Sequence, residues 1–157
     1  MKDEDIDVLE RLLTETRVLS LGVLVGGEPY VGLLPFAMSR GLGSALIHAS
    51  RLARHSEGLG TGASFSALIH GADHPDADPL QVARVTLSGT VHELEKTGDE
   101  YHEGRSLYIE RFPTSARTFQ LGDFNLYRLV FEKGRLVAGF ARAVNLRPES
   151  FSQLSSR

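Results

Sequence analysis

The 157-residue sequence contains no cysteine. Disulfides, thiolate nucleophiles and cysteine-based zinc sites are therefore excluded, and a reducing, cytoplasmic setting fits. Positive charge is not in excess: 17 Lys and Arg stand against 20 Asp and Glu, a net charge of −3. Affinity for a phosphate backbone needs a basic face, so nucleic acid is not the expected partner. No apolar run approaches the ~20 residues of a membrane span. The opening MKDEDIDVLE is acidic and lacks the apolar stretch of a secretory signal. There is no repeat, no low-complexity segment and no Gly-x-Ser-x-Gly elbow. The paired glycines of Gly22–Gly27 do not lead into a helix, so they read as a hairpin turn and not as a phosphate loop. What remains is an ordinary soluble balance, 41% apolar and 24% charged, in a chain long enough for one domain over residues 1–157.

Hydrophobic periodicity gives the elements. Asp3–Thr16 reads as a helix, with Ile6, Leu9 and Leu13 on one stripe and acids in its first turn. Val18–Val25 and Pro29–Met38 form a hairpin around Gly26-Gly27-Glu28. Gly32, inside the second strand, marks a bulge or a place where something flat approaches the backbone. Further strands are expected up to Ser50, at Ser64–His70 and at Gln81–Leu94, the last broken near Gly89. Thr97 and Glu100 have the spacing of a capping box for a helix that Pro113 stops. Asp123–Glu132 and Arg135–Ala141 read as a closing hairpin around Lys133-Gly134, with a frayed tail over 145–157. The expected fold is α+β: a six- to seven-stranded antiparallel split β-barrel (Greek-key) with flanking helices.

The stretch Ala45–Leu59, ALIHASRLARHSEGL, carries the chemistry. An apolar strand runs into Ser50, and a helix-like segment follows with Arg51, Arg54 and His55. A helix start with guanidiniums beside it suits an anion such as a phosphate. The plainer alternative is that Ser50 is only an N-cap and the arginines are solvated. His70, Asp73, His74, Asp76 and Asp78 fit no zinc or EF-hand spacing and read as a solvated loop, so no metal site is expected. Tyr101, Tyr108 and Phe112 read as packing residues, Phe140 as either core or ring-packing, and Arg128 and Arg142 as solvent-facing.

Tyr30–Phe36 (YVGLLPF), Ser50–Leu59 (SRLARHSEGL) and Ala83–Gly89 (ARVTLSG) together resemble the FMN-binding split-barrel family related to pyridoxamine 5′-phosphate oxidase. Gly122–Arg142 is similar to the branch with haem-utilisation proteins. The resemblance implies a homodimer with FMN in clefts at its interface and a small-molecule substrate. It also implies a flavin-dependent oxidoreductase in which the cofactor carries the chemistry, so no catalytic side chain is assigned. Carried over residue by residue, Ser50 and Arg51 match the first two positions of a Ser-Arg-Lys phosphate anchor. Leu52 stands where the lysine would be, with Arg54 or His55 one turn on as substitutes. His48 and Ala49, at the strand end leading into this run, go with it. Leu33, Leu34, Pro35 and Phe36 match the segment whose backbone lies along the flavin ring, and Arg84 a position that reaches the ring system. Gly58 departs from an asparagine common in the branch. Two alternatives stay open. One is a haem-binding or haem-degrading protein with His48 or His55 on the iron, since the last histidine, His102, precedes any C-terminal ligand. The other is a binding module without a cofactor; a deazaflavin is a further option among the cofactors.

Overall fold

A computed structural model describes residues 1–139 and 142–155. Three α-helices, α1 (Asp3–Glu15), α2 (Asp99–Arg111) and α3 (Pro148–Ser155), flank eight strands: β1 (Val18–Val25), β2 (Glu28–Pro35), β3 (Ala37–Met38), β4 (Ser44–Ser50), β5 (Ser64–His70), β6 (Arg84–Glu93), β7 (Phe124–Gly139) and β8 (Arg142–Leu146). All strands belong to one antiparallel sheet in the order β2-β1-β5-β6-β7-β4-β3, with β8 paired to β7. The two ends of that path, β2 and β3, are separated in sequence by Phe36 alone. The sheet therefore curls until its edges are joined through one residue, which is how a barrel removes exposed strand edges. Pro35 ends β2 because it has no N–H to extend the ladder, and the Phe36 N–H turns instead to the Arg17 carbonyl at 3.2 Å.

Alternation builds the interior. Leu19, Leu21, Val23 and Val25 of β1 point inward, as do Val85, Leu87 and Val91 of β6. Helix α1 covers one end with Ile6, Leu9, Leu12 and Leu13. A second, smaller core lies on the other side of β4, where Leu46 and Leu126 meet Tyr101, Tyr108 and Phe112 of the α2 region. Those three aromatics are packing residues, as the sequence implied.

Three expectations are corrected. The closing hairpin around Lys133-Gly134 is an unbroken strand, because β6 pairs with β7 on both sides of that point. Gly134 serves close approach and not a turn: a Cβ there would lie 2.9 Å from the Thr86 carbonyl oxygen. The capping box is not made, since α2 starts at Asp99 with Gly98 at its N-cap and no side-chain cap. The tail expected to fray carries α3, whose Phe151 packs on Phe131 with ring centroids 5.4 Å apart and is buried together with Leu154. Phe140 and Ala141 lie outside the described residues.

Candidate functional site

The run after β4 is shaped by hydrogen bonds that the sequence reading did not contain. Ser50 does not open a helix. Residues 51–53 form a turn, and a short 3-10 helix follows over Arg54–Gly58, with Ala53 at its N-cap and no side-chain cap. The expectation of a helix N-terminus at Arg51 is thereby corrected. The Ser50 hydroxyl donates to Asp123 Oδ2 at 2.7 Å and accepts the Leu52 N–H at 3.1 Å. The Arg51 N–H bonds the Asp123 carbonyl at 2.7 Å and the Ala53 N–H the Ser50 carbonyl at 3.1 Å. The Ser56 hydroxyl closes the turn onto the Ser50 carbonyl at 2.6 Å. Every N–H of the turn is thus spent inside the protein.

The side chains face outward. The Arg51 guanidinium donates to the Gly122 carbonyl at 3.3 Å from an exposed position. Leu52 is 86% exposed, an apolar side chain where the family anchor has a cation. Arg54, also exposed, lies over the Tyr30 ring at 5.7 Å, a cation–π contact. His55 leans onto β2: a methyl added at Gly32 would come within 3.2 Å of its Nδ1. The flat group that approaches Gly32 is therefore this chain's own imidazole. Burial lowers the His55 pKa, and its Nε2 is buried without a hydrogen-bond partner. Gly58 is forced by packing, since a Cβ there would sit 2.7 Å from the Leu24 carbonyl oxygen.

The other candidates fall into separate places. Along the β2 edge, Leu33 and Pro35 face out while Leu34 and Phe36 are in the core, so only half of the shelf offers side chains to a ligand. Ala49 is buried in the main core. His48 points to the second core, 7% exposed, stacked on Phe119 at 3.7 Å. Thr118 Oγ1 donates to the Ser115 carbonyl at 2.8 Å, so at 3.2 Å it receives a proton from His48 Nδ1. Arg84 bonds the carbonyls of Val82 at 3.0 Å and Leu80 at 3.4 Å. It pairs with Val137 of β7, whereas Ser50 pairs with Phe124. That separation is roughly 40 Å of strand at ~3.3 Å per residue. One chain does not bring Arg84 to Ser50. Arg142 is exposed, as expected, and pairs with Glu4 and Asp5, while Arg128 is partly covered and pairs with Glu100.

His48 makes an acid-sensitive core. Desolvation, with a smaller contribution from the Lys96 charge, lowers its pKa to about 4. The unfolded chain takes up this proton near pH 6.5, so stability is full above that value and falls as pH drops toward 4. The expected loss, discounted for solvent screening, is roughly 2 kcal/mol. Thermal melts from pH 7 to 4.5 should show it, and His48→Leu should flatten the slope. Equal slopes in the two proteins would count against this assignment.

No protein-family model matches the sequence, and no curated protein matches it. Solved structures do match. The heme binding protein from Mycobacterium smegmatis is 25% identical with a TM-score of 0.79, covering 96% of this chain and 59% of that one. The present chain thus spans about three fifths of that protein's length. A Clostridium acetobutylicum protein of the pyridoxinephosphate oxidase family is 13% identical with a TM-score of 0.68, covering 96% of this chain and 99% of that one. A FAD-binding protein from Mesorhizobium loti is 19% identical with a TM-score of 0.62, covering 82% and 91%. By its curled antiparallel sheet and these likenesses, the chain has the split-barrel fold, the fold of solved structures described as a heme binding protein, a pyridoxinephosphate oxidase family protein and a FAD-binding protein.

Proposed function

We propose that this chain acts as a homodimeric flavin-dependent oxidoreductase with its cofactor at the dimer interface, FMN being the flavin that the family resemblance names. The observation that carries the reading is the pair of exposed guanidiniums, Arg51 and Arg54, mounted on a turn locked by five hydrogen bonds. A rigid cationic turn pre-pays the ordering cost of binding an anion. The β2 edge beside it supplies a flat surface, with Leu33 and Pro35 outward and Gly32 between Val31 and Leu33. A dimer is the arrangement that allows Arg84 of one copy and Arg51 of another to reach a single ligand. When bound, the flavin supplies hydride and electron transfer. The protein's part is to hold the cofactor's acid group with Arg51 and Arg54 and its ring along β2. The small-molecule substrate and a cytoplasmic setting belong to the same reading; among the described residues no helix is long and apolar enough to cross a membrane.

Arg51→Ala is the test. Loss of one charge-assisted contact should weaken flavin binding about tenfold or more, read by quenching of flavin fluorescence. Unchanged affinity would remove the anchor assignment and the reading with it.

Haem is the second reading, favoured by the unpartnered Nε2 of His55 and by the Mycobacterium smegmatis heme binding protein. His48 serves it poorly, because its ring is sealed between Phe119 and the sheet. A Soret band present in the wild type and lost in His55→Ala would carry this reading. A protein that takes neither flavin nor haem would be the cofactor-free module.

A further inference from the structure

Leu52 leaves the turn one cation short of the family anchor, and neither substitute that the sequence offered fills the place. The His55 ring rests on Gly32, and burial lowers its pKa, so it is neutral at pH 7. Arg54 lies over the Tyr30 ring, on the β2 side of the turn. A third cation comes from a part of the chain that sequence reading did not single out. Lys96, in the connection from β6 to α2, donates from its Nζ to the Gly122 carbonyl at 3.5 Å. The Arg51 guanidinium donates to the same oxygen at 3.3 Å. Two exposed cations are therefore held one carbonyl apart, next to the aspartate that grips the Ser50 hydroxyl.

We propose that Lys96 is a phosphate-binding residue that stands in for the cation missing at Leu52 and, with Arg51, takes the terminal phosphate monoester of FMN. The proposal rests on the flavin reading above. Both contacts to Gly122 are longer than the roughly 2.7–2.9 Å of a charge-assisted bond, so each donor gains by turning to a phosphate oxygen. Lysine suits the place, because its ammonium carries three donors on a flexible stem and meets phosphate as a point charge. Like charges this close repel, and a phosphate monoester, which carries close to −2 at neutral pH, is attracted to both. Carboxylates stand near. Glu93 and Glu95 line an open polar cleft of about 460 Å³ together with Arg51 and Lys96, and Asp123 borders the turn. Among the described residues, however, no carboxylate lies within ion-pair distance of Arg51 or Lys96. Glu93 accepts the Asn125 amide at 2.6 Å, and Asp123 the Ser50 hydroxyl at 2.7 Å. Across an exposed cleft these acids are screened: they lower the affinity but leave the two cations' donors free.

The experiment titrates the full chain and its variants with FMN and riboflavin, which differ by the phosphate alone, read by quenching of flavin fluorescence. Lys96→Gln keeps a donor for the Gly122 carbonyl and removes the charge. It should weaken FMN about fivefold to tenfold and riboflavin by less than about twofold. Leu52→Lys, added to Lys96→Gln, should bring FMN back to within about twofold of wild type. Both side chains are exposed, so neither change threatens folding. A Lys96→Gln protein with unaltered FMN affinity, a loss shared equally by riboflavin, or a loss that Leu52→Lys does not recover would overturn the proposal. Arg51→Ala, run beside them, separates this inference from the reading beneath it. If Arg51→Ala loses FMN and Lys96→Gln does not, the inference falls and the flavin reading stands. If wild type binds neither flavin, or binds both alike, the anchor reading itself fails, and this inference with it.

Discussion

Gly89→Ala is expected to destabilise the barrel by more than about 4 kcal/mol, a loss of about 8–16 °C in Tm for a domain of this size. Gly89 sits where the β6–β7 register shifts, between Ser88 and Gly89. The shift drives the β7 main chain into the space that a side chain would need. A Cβ on Gly89 would overlap the Val130 carbonyl oxygen and stand 3.0 Å from the carbonyl carbon and 3.1 Å from the Glu132 nitrogen. Backbone on both sides leaves nothing flexible to yield, and the bulge is what bends this long pair enough to close the sheet. Gly43→Ala is the matched control: its added methyl would meet nothing within 4 Å, so it should cost no more than about 0.5 kcal/mol. Thermal denaturation of the two variants decides the matter, and a Gly89→Ala protein that melts within about 2 °C of the control would show that the strands can part there without cost.

The second large effect is on assembly. The outward face of the β1–β2 hairpin carries Val18, Leu24, Val31 and Leu33, of which Val31 is 67% and Leu33 69% exposed. Gly22 and Ser20 lie opposite Val31 and Leu33 and leave the face flat. In a two-fold dimer each of these side chains is buried twice over. At ~1.5–3 kcal/mol for each fully buried aliphatic side chain, replacing both by aspartate should weaken association by at least about a thousandfold. The Val31→Asp/Leu33→Asp protein should therefore sediment as a folded monomer, and under the proposed dimeric reading its flavin affinity should fall as well. The monomer itself should melt normally, since these side chains contribute nothing to its core. Wild type that sediments as a monomer at tens of micromolar, a concentration at which an interface worth ~8 kcal/mol would hold, would remove this face as the interface.

Where each element lies was largely readable from local pattern. The stripe of Ile6, Leu9 and Leu13 gave α1, the glycine pair 26–27 gave the first hairpin, and both glycines do take positive φ, 59° and 82°. The bulge near Gly89 was also expected. The failures share a cause. Lys133-Gly134 has turn chemistry, yet β6 pairs straight past it, because a long partner strand offers hydrogen bonds that outweigh a local preference. Thr97 and Glu100 have capping-box spacing, yet the chain enters α2 one residue later, from Gly98. The tail is polar overall, but two apolar residues, Phe151 and Leu154, are enough to seat it.

The candidate site divides in the same way. The sequence by itself determined which side chains are available: a serine and two arginines after an apolar strand, a leucine in place of a cation, and no thiol or basic surface. It also determined the class of fold, since alternation and turn residues act over a few positions and need no distant partner. Only the tertiary structure decided how those side chains are committed. It buries His48 against Phe119, spends His55 on Gly32, separates Arg84 from Ser50, and gives the Ser50 hydroxyl to a carboxylate 73 residues away. Those outcomes depend on strand pairing across the whole chain, which residues a few positions apart cannot encode.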